Sequence, residues 1–246
     1  MTEREYGERI AAVRERMAMA AGRSGRPETD VTLVVVSKYL DPESTVPLIR
    51  AVIAGGTEAI FGESRPQRLR EKAEFLARRP ELLSPRTSVS SVAWHQIGPL
   101  QTNKIRMIAP WISRLHSGES IAQLAELNRE LERIHRTLPV LLEVNISGET
   151  AKHGFEPAQV EPSLERLAEL KSLRIDGLMG MTSLNATEPE AHRQFASLRT
   201  LAERLRPYLP EGIRMSELSM GMTHDFEIAI EEGATLVRIG SAITTL

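Results

Sequence analysis

The chain has 246 residues, enough for one large domain and close to the roughly 250 of a single α/β barrel. A formal charge of −2 leaves no positive field to gather a phosphodiester backbone or an anionic lipid surface, so neither nucleic acid nor membrane is an expected partner. There is no cysteine, which excludes disulfides, thiolate metal sites and a cysteine nucleophile, and no apolar stretch approaches the roughly 20 residues of a membrane span; a cytoplasmic setting is expected.

Periodicity predicts a helix over residues 3–21, with Ile10, Val13, Met17 and Ala20 on one face and Gly22 and Gly25 at its end. Short apolar runs then predict strands at 31–37, 58–61, 94–97, 112–115, 140–146, 175–181, 214–219 and 236–239. Helical spacing fills the intervals at 42–54, 67–78, 101–108, 121–135, 157–171, 189–205 and 225–232. Several of these open with proline or a capping hydroxyl, and some close at glycine. Strand and helix alternating in this way imply a parallel sheet with crossovers, and eight strands allow it to close. The expected fold class is therefore α/β: a single (β/α)8 TIM barrel domain over residues 1–246, with an extra amino-terminal helix. An open doubly wound sheet ranks second, because no G-x-G-x-x-G follows the first strand.

The first strand gives out at Lys38, just before Asp41-Pro42, and a primary amine at the carboxyl end of a barrel strand stands where such folds place their chemistry. It can form a Schiff base. Arg238 lies within the last apolar strand, on the face of Leu236 and opposite Val237 and Ile239. Strands one and eight are neighbours in a closed barrel, so the two cations share one rim. Each has a plainer explanation, since Lys38 can snorkel to solvent and Arg238 can pair with a core carboxylate. A third element favours a ligand. Ser219, Gly221 and Thr223 follow strand seven, while Gly240 and Ser241 follow strand eight. Glycines admit close backbone approach, hydroxyls donate hydrogen bonds, and a helix amino terminus offers free N–H groups. Capping and turn formation would account for either loop alone. Together they read as an anion cradle in the loops where barrels frequently bind phosphate.

An imine-forming lysine, a phosphate cradle and an arginine between them fit pyridoxal 5′-phosphate. The aldehyde would join Lys38, the phosphate would sit by Ser219, Gly221, Gly240 and Ser241, and the ring nitrogen would face Arg238. A guanidinium only donates and does not lose its proton, so that nitrogen would stay unprotonated and the ring would be a weaker electron sink.

Longer motifs extend this reading. They are Val36-Ser37-Lys38, Phe61-Gly62-Glu63, Trp94-His95-Gln96-Ile97-Gly98-Pro99-Leu100-Gln101-Thr102-Asn103-Lys104, Glu143-Val144-Asn145-Ile146-Ser147, Gly177-Leu178-Met179, Leu218-Ser219-Met220-Gly221-Met222 and Val237-Arg238-Ile239-Gly240. Through them nearly the whole chain resembles the pyridoxal phosphate homeostasis protein family, relatives of the amino-terminal barrel of alanine racemase. The resemblance implies the barrel of pyridoxal phosphate fold type III, a Schiff base on Lys38, Arg238 as the ring-nitrogen partner, and Ser64 and Met179 among the cofactor contacts. It also implies a role in vitamin B6 balance without an established catalytic reaction. There are departures: Ser64 stands where the family usually has asparagine, His224 where it usually has an acid, and the chain stops at Leu246, short of the usual tail.

Other polar residues read as structural. His95 and Lys104 fit a hydrogen-bonded rim histidine and a solvated helix charge, and Lys152 and His153 a wet basic loop. Glu63 and Glu143 fit solvated or ion-paired carboxylates better than an acid–base pair. The histidines lack metal-ligand spacing, so no metal is expected. The expected function is a carrier or buffer for the cofactor, not an enzyme, with apo forms of cofactor-dependent enzymes as recipients and a monomer as the assembly. The alternative is a cofactor-dependent amino-acid racemase or lyase. Two-base racemisation needs a second proton-transfer group, and Tyr39, beside Lys38, is expected to point away along an extended strand. A third class is a cofactor-free Schiff-base aldolase whose cradle holds a sugar phosphate.

Overall fold

The computed structural model of the chain describes residues 1–56, 58–83, 92–149 and 153–245. Eight parallel strands form a closed barrel in sequence order: β1 (Thr32–Val36), β2 (Ala59–Glu63), β3 (Val92–Gln96), β4 (Arg114–Gly118), β5 (Leu138–Glu143), β6 (Leu173–Met179), β7 (Ile213–Ser219) and β8 (Leu236–Ile239). The outer layer comprises α2 (Pro42–Ala54), α3 (Pro66–Arg78), α4 (Ile105–Ile108), α5 (Ile121–Arg133), α6 (Pro157–Ala168), α7 (Glu188–Leu205) and α8 (Phe226–Glu231). The amino-terminal α1 (Glu3–Arg23) and a short closing α9 (Ser241–Thr244) complete it. Barrel and extra helix are as the sequence predicts.

Helix α1 starts where Thr2 and Glu5 form a capping box, each satisfying a backbone N–H of the other's turn. Its buried face is Tyr6, Ile10, Val13, Met17, Ala20 and Ala21. That face packs on α2 and α8, and each large apolar side chain it buries contributes about 1.5–3 kcal/mol. Arg16 and Arg23 on its flank pair with Glu227 and Glu231 of α8. Those exposed pairs add little energy and fix the helix's orientation.

Side-chain alternation divides each strand between the helices and the lumen. Val34, Ile60, Leu141, Met179 and Leu236 form a small apolar cluster inside, separate from the large core under the helices. Polar side chains, among them Arg114, His116, Ser219 and Arg238, share the lumen with it, unlike the branched apolar filling usual in such barrels. Arg114 of β4 is ion-paired with Glu217 of β7 and lies 3.5 Å from Asp176 of β6. Strands β4 and β7 are not sheet neighbours, so the Arg114–Glu217 pair crosses the barrel.

Two predicted elements differ in more than a few terminal residues. The fourth strand is not 112–115 but Arg114–Gly118. Its inner half, His116-Ser117-Gly118, is buried through hydrogen bonds, a signal that an apolar-run criterion passes over. The helix expected at 101–108 is a 3₁₀ turn, Thr102–Lys104, followed by the single turn of α4.

Strand β6 shows why one glycine is required. Register shifts on both sides of Gly177 bring it against β5 and β7, and a Cβ at this position would overlap the Glu217 carbonyl oxygen. Neighbouring strand backbone cannot yield as a flexible side chain would. Gly177→Ala is therefore expected to destabilise the fold by at least about 2 kcal/mol in urea unfolding. An unchanged midpoint would show that β7 can retreat.

Candidate functional site

Strand β1, which leads into Lys38, and strand β8, which carries Arg238, lie side by side as the closed barrel requires. Strands β1 and β8 pair with Val34 opposite Arg238 and Val35 opposite Ile239. Beyond them Gly240 passes so near Val36 that a Cβ on it would lie 3.3 Å from the Val36 Cβ. Lys38 stands two residues beyond the end of β1, half-buried at the carboxyl mouth.

The backbone around Lys38 turns at once. The Leu40 N–H donates to the Ser37 carbonyl at 2.9 Å, so Tyr39 does not continue an extended strand. Instead the Lys38 ammonium sits 4.9 Å from the Tyr39 ring centroid, a cation–π distance. This corrects the expectation that Tyr39 points away from Lys38: the turn brings the two side chains together. The phenol ring is largely exposed, at 71%.

Arg238 is buried, at 4% exposure, and its hydrogen bonds go to neutral oxygens: Ser219 Oγ at 2.5 Å and the Gly180 carbonyl at 3.2 Å. The expected alternative, pairing with a core carboxylate, is not found among the described residues. Burial pulls the guanidinium's pKa down to about 10, against the smaller opposing pull of Asp225 and Glu143. A guanidinium carries five N–H donors, and protein acceptors among the described residues take two of Arg238's. The remaining donors of a desolvated cation call for an acceptor in the lumen.

Behind Arg238 runs a chain of polar groups across the barrel. Ser219 Oγ lies 2.8 Å from His116 Nδ1, and His116 Nε2 lies 3.0 Å from His95 Nδ1. The Ser219 hydroxyl is thus engaged with Arg238 and His116 inside the barrel. That corrects its expected place in a loop cradle: lumenal alternation turns it inward, where it steadies the guanidinium. His95 is likewise a lumenal residue and not one of the rim.

Desolvation, with Arg114 nearby, pulls the His95 pKa from 6.5 to about 3. Desolvation, then His95, Arg238 and Arg114, push His116 well below its usual value. Both rings are neutral when folded, whereas unfolded histidines take protons below about pH 6.5. The unfolded state then binds more protons, so stability falls as pH falls through the window from 6.5 towards 3. The loss should be about 1 kcal/mol per histidine over the first pH unit of that window. Urea unfolding with pH should show it, with a shallower slope in His95→Asn; equal slopes would mean that His95 charges in the fold.

The loops after β6, β7 and β8 are tied together at the mouth. The Arg238 N–H donates to the Gly221 carbonyl at 3.0 Å, and the Gly240 N–H to Thr223 Oγ1 at 3.4 Å. Asp225 accepts from the Met222 N–H at 2.7 Å and from the Thr182 hydroxyl at 2.8 Å. His224 is exposed, and the acid next to it, Asp225, ties the loop before α8 to the loop after β6 without capping the helix. Gly221 has φ +87°, and a Cβ there would lie 2.6 Å from the Ala229 Cβ. Packing against α8 therefore already demands glycine at this position. Ser241 is exposed at the start of α9, whose first N–H groups have no acceptor within the helix.

The remaining expected contacts lie around the same lumen. Met179 is fully buried in the inner apolar cluster at the end of β6. Ser64 is half-buried in the turn after β2, its N–H 2.9 Å from Glu63 Oε1, and Gly98 packs against it. Glu143 is buried at the end of β5, and Lys104 is half-buried in its 3₁₀ turn. His153 lies 3.6 Å from Glu119, and Lys152 falls outside the described residues. No group of residues suited to a metal ion occurs among the described residues. Sequence reasoning missed Lys72, His116 and Asp225.

A closed parallel barrel with an amine at the mouth of β1 and a desolvated arginine on β8 defines the class of the alanine racemase N-terminal domain, whose sequence profile matches residues 75–246. The chain is 34% identical over 237 residues to the pyridoxal phosphate homeostasis protein of Aquifex aeolicus, covering 96% of each. It is 35% identical over 234 residues to that of Escherichia coli K12, covering 95% of this chain and 93% of the relative. A solved structure of PipY from Synechococcus elongatus, with pyridoxal phosphate bound, superposes with a TM-score of 0.77 at 30% identity, covering 97% and 99%. The chain belongs to the pyridoxal phosphate homeostasis protein family.

Proposed function

We propose that this chain binds pyridoxal 5′-phosphate as a Schiff base on Lys38 and serves vitamin B6 balance as a carrier or buffer, not as an enzyme. The observation that carries the reading is the buried Arg238, held by neutral oxygens with N–H donors to spare. A cation in that state suits a ring nitrogen that accepts, which fits this cofactor and no ordinary carboxylate role. Arg238 donates to the ring nitrogen, backed by Ser219; Met179 and Ser64 border the ring. The joined loops with Gly221, Gly240 and Ser241 offer N–H and hydroxyl donors to the phosphate. The relatives' names and the cofactor-bound PipY structure support the same reading.

When bound, the cofactor supplies an electron sink, weakened where its ring nitrogen stays unprotonated. The residues around Lys38 therefore suit holding better than turnover, and apo forms of cofactor-dependent enzymes are the natural recipients. Among the described residues no helix is long and apolar enough to cross a membrane, in keeping with a cytoplasmic carrier. We assign it as a monomer. The test is to load the purified protein with pyridoxal 5′-phosphate, reduce with borohydride, and locate the modified residue by mass spectrometry. Modification at Lys38 supports the reading; a cofactor that fails to attach, or attaches elsewhere, overturns it.

A further inference from the structure

We infer that Lys72, a buried lysine of α3, is a positioning residue that fixes the Lys38 backbone at the barrel mouth, acting with Glu63 and Arg65; this rests on the cofactor reading above. Lys72 is 1% exposed and Glu63 0%. The ammonium's three donors are all used: Glu63 Oε2 at 2.6 Å, the Ser37 carbonyl at 2.7 Å and Ser37 Oγ at 3.1 Å. The other carboxylate oxygen of Glu63 accepts from the Ser64 and Arg65 N–H groups, at 2.9 and 3.2 Å. Arg65 then reaches back, its guanidinium 2.6 Å from the Lys38 carbonyl oxygen.

The contacts close a ring: Lys38 to Ser37 by the chain, Ser37 to Lys72, Lys72 to Glu63, Glu63 to Arg65, and Arg65 to Lys38. One buried ion pair thereby joins the loop after β1 to the loop after β2, and Lys38 sits where they meet. Among the described residues, the contact made by the Lys38 amine is with the exposed Tyr39 ring. Where that amine can reach is consequently set by its backbone, and the carbonyls on either side of the Lys38 α-carbon are the ones gripped. A buried ion pair is a poor source of stability, because desolvation offsets most of the attraction and apolar replacements are often neutral or better. What this pair provides is the geometry of two loops, and an amine misplaced by about 1 Å can cost a hundredfold in reactivity.

The double substitution Glu63→Gln with Lys72→Met separates geometry from stability. The glutamine keeps an acceptor for the Ser64 and Arg65 N–H groups, the methionine fills the space of the lysine stem, and no charge stays buried alone. We expect this variant to match the parent in urea unfolding yet to lose bound pyridoxal 5′-phosphate at least about tenfold faster. Arg65→Ala removes an exposed side chain, leaves the core untouched, and should accelerate release in the same direction. Reduction and peptide mapping on the parent give the reference. A parent modified at Lys38, together with variants that release cofactor at the parental rate, overturns the positioning role alone. A parent unmodified at Lys38 overturns the cofactor reading and the positioning role with it. Faster release confined to a destabilised double variant, with Arg65→Ala unchanged, also rejects it, since a purely structural ion pair behaves that way.

Discussion

Lys38→Ala folds as the parent does and shows no yellow imine band after exposure to pyridoxal 5′-phosphate. The side chain is half-buried at the mouth and its amine lies against an exposed ring, so truncation removes no core packing. Changes of that kind usually alter stability by less than about 0.5 kcal/mol. Affinity, by contrast, should fall at least about 100-fold, equivalent to about 2.7 kcal/mol, because the covalent link is lost while Arg238 and the loop donors still hold the ring and phosphate. Equilibrium dialysis measures that residual binding, and a band that persists would mean another amine forms the imine. The same variant decides between carrier and racemase. The loaded parent is incubated with single-enantiomer alanine, and sustained loss of chirality that vanishes in Lys38→Ala would make the chain an enzyme. The turn at Tyr39 sharpens that test, since the phenol lies beside the amine and not across the lumen from it. Two-base exchange needs proton-transfer groups on opposite faces of the ring.

What the sequence reveals and what it hides follow from how each residue is satisfied. Lys38 and Arg238 are legible because a cation in or at the end of an apolar strand needs a reason, and closure of an eight-unit barrel then sets their two strands side by side. The interior half of β4 is not legible. His116 is polar, and what buries it is Ser219, 103 positions away, a partner that no local pattern announces. Lys72 is hidden for the same reason: within Arg70-Glu71-Lys72-Ala73-Glu74 it looks like one more solvated helix charge. Only the folded chain shows Glu63 and Ser37 waiting for it. Ser219 illustrates the converse. Its neighbourhood of glycines and hydroxyls suggested a phosphate loop, yet strand parity turns the hydroxyl inward to Arg238. The glycine of that loop, Gly221, is demanded by α8 before any ligand is considered. Composition signals a cradle well; it cannot apportion each group between ligand and scaffold.

Arg238→Met separates cofactor affinity from fold stability. Burial lowers the guanidinium's pKa to about 10, and at about 1.4 kcal/mol per pH unit the folded charge is about 3 kcal/mol less favourable than an exposed one. The sign follows from the depressed value. Folded and unfolded states are both protonated at neutral pH, so the penalty applies throughout that range and is relieved only as pH rises through 10. Methionine removes the penalty and keeps most of the volume, but leaves Ser219 Oγ and the Gly180 carbonyl short of a donor, at about 1–3 kcal/mol each. These effects oppose one another, and the cofactor-free variant should unfold within about 2 kcal/mol of the parent. Cofactor binding has no such compensation. The ring nitrogen loses a charge-assisted donor in a desolvated site, about 1.5–3 kcal/mol, so affinity should drop about 10- to 100-fold. Titration with pyridoxal 5′-phosphate, read beside urea unfolding of the cofactor-free protein, supplies both quantities. If stability collapses while affinity holds, Arg238 is a structural cation, and the acceptor that its spare donors call for is not the ring.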